Sequence, residues 1–252
     1  MLTNILVRPA ARGGKYLGPD AANADNHSAS VSILNLKTGQ RVAEAYVNTL
    51  GKDPGPANIM APVSRAAPFP TDPNTVGVTL KVDITEPTDF RVSVFGPLSF
   101  PDQARLAQAD ITVLPGVDIG VNVYSPNALM PTFPEGLVIE VPGLCISNVA
   151  ANWTGAQVSC SAKVTMMCGC PINDIANWPW PPTDFTIQLV TYMQSGAVYK
   201  YTLGFDTNPN LVSSFIGQWP NQAGSGDSAV QAWIFASEPK LGNQGKYKIP
   251  TP

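Results

Sequence analysis

The chain has 252 residues, 25 of them proline and 21 glycine, with 13% charged residues and 44% hydrophobic ones. Against averages near 25% charged and about 5% proline, this composition excludes long helices, since proline breaks helices and central strands alike, and calls for many short strands joined by loops. The net charge of −3, with no basic run anywhere, excludes nucleic acid as an expected partner. No stretch approaches the ~20 apolar residues of a membrane-spanning helix.

In chain order, Met1 to Arg8 lacks a basic segment followed by an apolar one, so the expectation is either a cytoplasmic chain or one numbered after a removed signal. The lysine-poor polar composition points to a periplasmic or secreted protein numbered after a removed signal. Ala29–Leu36 and Gln40–Thr49 flank Lys37-Thr38-Gly39 as a hairpin. Asp53 to Pro73 reads as a long loop. Val76, Val78, Leu80, Val82 and Ile84 alternate with polar residues. Glu86 to Asp89 then turns the chain, and Phe90, Val92 and Val94 resume the alternation as the second arm of a hairpin. Asp102–Ala109 allows one or two helical turns, and Leu106–Leu114 a strand. Ser125–Pro134, with three prolines and no alternation, marks a linker. The expected organisation is a β domain at 1–125, a linker at 126–134 and a second β domain at 135–252. Strands are expected in the second domain near 137–149, 156–168, 184–193, 198–205, 211–219, 228–236 and 244–250.

The segment from Val31 through Thr38-Gly-Gln40 to Val42-Ala-Glu-Ala-Tyr-Val-Asn-Thr49 resembles transthyretin-like and carboxypeptidase regulatory-type β-sandwiches over residues 27–95. Seven strands at the later spacing resemble an immunoglobulin-like sandwich. Arg12-Gly-Gly-Lys-Tyr-Leu-Gly18 and Met166-Met-Cys-Gly-Cys-Pro-Ile172 resemble strings in uncharacterised bacterial proteins. These resemblances imply an all-β fold of two antiparallel sandwiches and carry no catalytic residues.

Catalytic sets are absent from the sequence. His27 is the only histidine, no Gly-x-Ser-x-Gly accompanies it, and Arg12-Gly-Gly-Lys15 lacks the spacing of a phosphate loop. No enzyme class is indicated.

One cluster stands out. All four cysteines, Cys145, Cys160, Cys168 and Cys170, fall within residues 145–170. Read at period two, Val158, Cys160, Ala162, Val164, Met166, Cys168 and Cys170 share one inward face. Three readings stay open. In the structural one, Cys145 and Cys160 form a cross-strand disulfide, with Cys168 and Cys170 a second bridge or buried thiols. In the second, Met166, Met167, Cys168 and Cys170 bind copper as Cu(I), which favours soft ligands. In the third, Cys168 and Cys170 are a redox dithiol. Trp178-Pro-Trp180 is either an extended presentation of two indoles to a partner or a cap on the sandwich. Asn26-His-Ser28 and Asn152-Trp-Thr154 fit the glycosylation sequon. The leading expectation is a non-enzymatic extracytoplasmic structural or interaction protein, acting with a protein partner or by self-association and without a cofactor. Copper handling or thiol redox is the alternative.

Overall fold

The computed structural model describes residues 1–13, 16–18, 28–47, 76–120, 136–154, 156–208, 212–221 and 227–250. The linker at 125–134, the loop at 53–73, Asn26 and His27 lie outside them. The chain divides into two compact units, Met1–Pro142 and Gly143–Pro252. The fold is all-β: among the described residues the regular structure is strand, apart from one 3-10 turn at Pro182–Asp184.

The first unit holds two sheets. In one, β3 (Arg41–Tyr46), β2 (Ser30–Asn35), β5 (Thr88–Gly96) and β6 (Arg105–Val113) run antiparallel in that order. The β2–β3 hairpin forms as expected. Asn35 Oδ1 accepts the backbone N–H of Lys37 at 2.9 Å and of Thr38 at 3.0 Å, and Gly39 takes φ +70°, which a side chain would strain. The second sheet orders β4 (Val78–Asp83), β1 (Leu2–Ala11) and β7 (Leu137–Val141). Alternating residues fill the core from both sheets: Val31, Ile33, Phe90, Val92 and Val94 from one, and Ile5, Val7, Leu80, Val82, Ile139 and Val141 from the other, all buried. Each such side chain contributes about 1.5–3 kcal/mol by leaving water.

Four expectations change here. The strands at 78–83 and 88–96 are not a hairpin: β4 pairs with β1, and β5 pairs with β2 and β6, so the turn at Glu86 crosses between sheets. Asp102–Ala109 is not helical. A turn at 101–103 leads into β6, where exposed and half-buried residues alternate. The first strand had no counterpart in the sequence reading, and its pairing with β7 is parallel, from Val7↔Leu137 to Ala11↔Val141. The strand expected at 137–149 is two, broken at Pro142-Gly143. Its first half, β7, completes the first unit, so the division falls at 142–143.

The second unit is one seven-stranded sheet ordered β14 (Asn243–Ile249), β13 (Ala229–Glu238), β10 (Thr186–Met193), β11 (Val198–Phe205), β12 (Ser214–Pro220), β9 (Gln157–Met166), β8 (Leu144–Trp153). The start of β11 pairs with β10 and its end with β12, so the sheet turns over there. The two ends approach one another: a Cβ on Gly245 of β14 would stand 2.6 Å from the Leu144 carbonyl oxygen of β8. Between the layers lies a core that includes Ile146, Val164, Leu189, Leu203, Phe215 and Ile234.

Candidate functional site

Val158, Cys160, Ala162, Val164 and Met166 point into this core as the alternation requires. The pattern ends at Met166. The chain then folds back: Gly169 N–H donates to the Met166 carbonyl at 2.8 Å, and Met166 N–H donates to the Cys170 carbonyl at 3.0 Å. Gly169 stands at φ +80°, and Thr165 bridges antiparallel to Pro171. Ser213 fixes the returning segment, its hydroxyl accepting Ile172 N–H at 2.9 Å and its carbonyl accepting Val164 N–H at 3.0 Å.

The turn leaves the sulfurs on the sides that alternation assigns them. Cys170 joins the core and Cys168 packs against it. Met167, fully buried, faces the other way, with its Sδ 3.6 Å from Cys145 Sγ. The four residues of the copper reading are therefore divided between two directions. Among the described residues, no three His, Cys, Asp or Glu side chains gather as a metal site.

The Cys145–Cys160 bridge is not made. Cys145 lies opposite Thr165, and Cys160 opposite Ala151. Thr165 and Cys160 sit on opposite faces of β9, about 17 Å apart along it, whereas a disulfide needs Cα atoms within about 7 Å. No disulfide joins any two of the four cysteines in the structure. Burial pushes the Cys160 thiol up to about 12, so it is not a thiolate nucleophile near neutrality.

The tryptophan segment is taken up by the core rather than held out. Trp180 is buried, and Trp178 packs against the same cluster. Their rings meet edge to face at 6.1 Å, and Trp178 Nε1–H donates to the Pro171 carbonyl at 2.7 Å. Proline holds the segment extended, but the loop lies down along the end of the unit, where large indoles gain most by burial. Of the two sequons, Asn152 is exposed at the end of β8.

An open depression of about 380 Å³ lies over β8, β9 and β12, lined by Ala150, Asn152, Ser159, Ser161, Ile216 and Gln218 around Cys160. It gathers no acid–base pair.

A feature the sequence reading missed lies on the first unit. Register places Tyr46, Ser30, Phe95 and Leu106 in one transverse row across β3, β2, β5 and β6. Tyr46 and Leu106 are each 57% exposed and Phe95 is 37% exposed. The row ends at two sheet edges, β3 and β6. Tyr46, Phe95 and Leu106 are far apart in sequence, and only the pairing register brings them into one row.

No protein family matches the chain, and no curated protein does. Among solved structures, a DUF3823 family protein from Bacteroides ovatus aligns at 10% identity over 98% of this chain and 97% of that one, with a TM-score of 0.30. The tip fimbrial protein of Porphyromonas gingivalis aligns at 12% over 100% and 83%, TM-score 0.34. A DUF3823 family protein from Parabacteroides merdae aligns at 7% over 99% and 98%, TM-score 0.27.

Proposed function

We propose that the chain is a non-enzymatic structural or interaction protein working outside the cytoplasm, associating with a protein partner or with copies of itself. The observation that carries this reading is the row Tyr46–Ser30–Phe95–Leu106, in which Tyr46, Phe95 and Leu106 are exposed and which runs between the two edge strands of the four-stranded sheet formed by the described residues. Edge strands offer unpaired N–H and C=O groups to an incoming strand, and exposed aromatics give such a contact its binding energy. The strand order of the second unit, β8-β9-β12-β11 folding over onto β10-β13-β14, supports reading it as immunoglobulin-like, and the two-sheet first unit supports a transthyretin-like one. Light scattering after size exclusion tests the proposal. An assembly larger than the monomer, lost in Tyr46→Lys/Leu106→Lys with the far-UV spectrum unchanged, is the expected result. A strict monomer that captures no partner counts against it.

The approach of Cys145 Sγ to Met167 Sδ at 3.6 Å favours a second reading, a soft-metal site for Cu(I). It uses Cys145 in place of a straight run of sulfurs at 166–170. Metal analysis of the purified chain decides it. We expect no stoichiometric copper; one copper per chain, lost in Cys145→Ser, would promote this reading over the first.

A further inference from the structure

We propose that the outer face of β11–β10–β13–β14 binds an acidic polysaccharide. Register lines up two transverse rows there: Lys200–Val190–Trp233–Lys248 and Thr202–Gln188–Phe235–Lys246. All three lysines are exposed. They are scattered between 200 and 248 in sequence, and the fold alone makes them a patch. Lys246 and Lys248 stand about 7 Å apart on one face of a strand, and Lys200 lies about 14 Å away across three strand spacings.

No outward position of these four strands carries Asp or Glu. Their one carboxylate, Glu238, is turned inward, where it accepts the Leu241 backbone N–H and the Asn243 side-chain amide. The surface lysine–carboxylate pairs of the described residues lie elsewhere, at Lys37–Glu86 and Lys240–Asp184. In a chain of net charge −3, this face is locally cationic and its charges repel one another, so an anionic ligand is the complement that relieves them.

The floor between the lysines chooses the kind of anion. Trp233 and Phe235 are half-buried side by side on β13, giving sugar rings an apolar bed on a surface open along its length. Lys246 Nζ and Lys248 Nζ each lie 5.8 Å from the Trp233 ring centroid, near the ~6 Å limit of a cation–π contact. Carboxylates spaced along a glycan meet the ammonium groups directly. This inference goes beyond the protein–protein reading, resting on a different unit and different residues.

The test is isothermal titration of the whole chain with polygalacturonate at low ionic strength, beside neutral dextran and oligothymidylate. Binding to polygalacturonate alone is expected, weakening as salt screens it. Lys246→Gln/Lys248→Gln should bind about tenfold more weakly, two exposed ion contacts' worth. Lys163→Gln, on β9 outside this face, should leave affinity unchanged. Any one of four results overturns the proposal: no binding, equal binding to dextran, tighter binding to oligothymidylate, or full affinity in the folded double variant.

Discussion

Cys160 is only 4% exposed, and desolvation of its thiolate is what lifts its pKa from 9.0 to about 12. The native state keeps the proton over a pH range in which the unfolded chain has released it. The stability this supplies is fully present below pH 9 and lost as pH rises from about 9 to 12. Urea midpoints of the wild type should therefore fall across that window relative to those of Cys160→Ala, and parallel curves would refute the assignment. Replacement by serine should cost about 1–3 kcal/mol through a buried hydroxyl. Much of this residue's setting was legible beforehand, because Val158 to Met166 alternate cleanly. What lay beyond alternation was its end: the strand stops where Gly169, at φ +80°, reverses the chain before Pro171. Cys-Gly-Cys-Pro carries that turn signal, and past it the core still takes Met166, Cys168 and Cys170 on the side alternation assigns them, with Met167 outside that cluster.

Among elements, legibility followed isolation from tertiary choice. The strand Val198–Phe205 has the expected bounds, and the hairpin around Gly39 forms as read. The first strand was hidden by Pro9, since proline argues against a paired strand. The structure shows why it is tolerated: β4 pairs only with Leu2 to Val7, and on that side Pro9 needs only to accept, its carbonyl taking the Leu17 N–H at 2.8 Å. The turn at Glu86 looks the same in sequence whether it joins paired neighbours or crosses to another sheet, because alternation says which side is buried and not what lies beside it. The closure of the second unit makes an element-scale prediction. A methyl on Gly245 would stand 2.6 Å from the Leu144 carbonyl oxygen and 3.2 Å from Leu144 Cβ, and a backbone atom has nowhere to swing. Gly245→Ala should destabilise this unit by about 1–3 kcal/mol, read as a lower urea midpoint by tryptophan fluorescence; an unchanged midpoint would mean the two ends of the sheet part freely.

At the scale of the whole molecule, all five tryptophans (Trp153, Trp178, Trp180, Trp219 and Trp233) belong to the second unit. Tryptophan fluorescence thus follows one unit, while far-UV dichroism follows both. Chains of two units commonly depart from all-or-none unfolding. The two transitions in urea should not coincide, and Gly245→Ala should shift the fluorescence curve while leaving one dichroism phase in place. Superimposable curves would show a single cooperative body. The surfaces carrying the proposed functions were invisible at this scale of reading for one physical reason. Tyr46, Phe95 and Leu106, like Lys200, Lys246 and Lys248, become neighbours only through strand register, and register is settled by which faces are buried.

The parallel pairing of β1 with β7 sets an order on the chain's birth. Synthesis proceeds from the N-terminus, so Leu2–Ala11 emerges from the ribosome long before Leu137–Val141 exists to cover its flank. Until then Val7, Ala10 and Ala11, which end buried, lack the strand that covers their flank. Distant pairings of this kind form slowly, because the intervening loop must close before the contact rewards it. Leu2–Ala11 thus waits for this partner through the synthesis of most of the first unit, which cannot be finished until the boundary of the second has been translated.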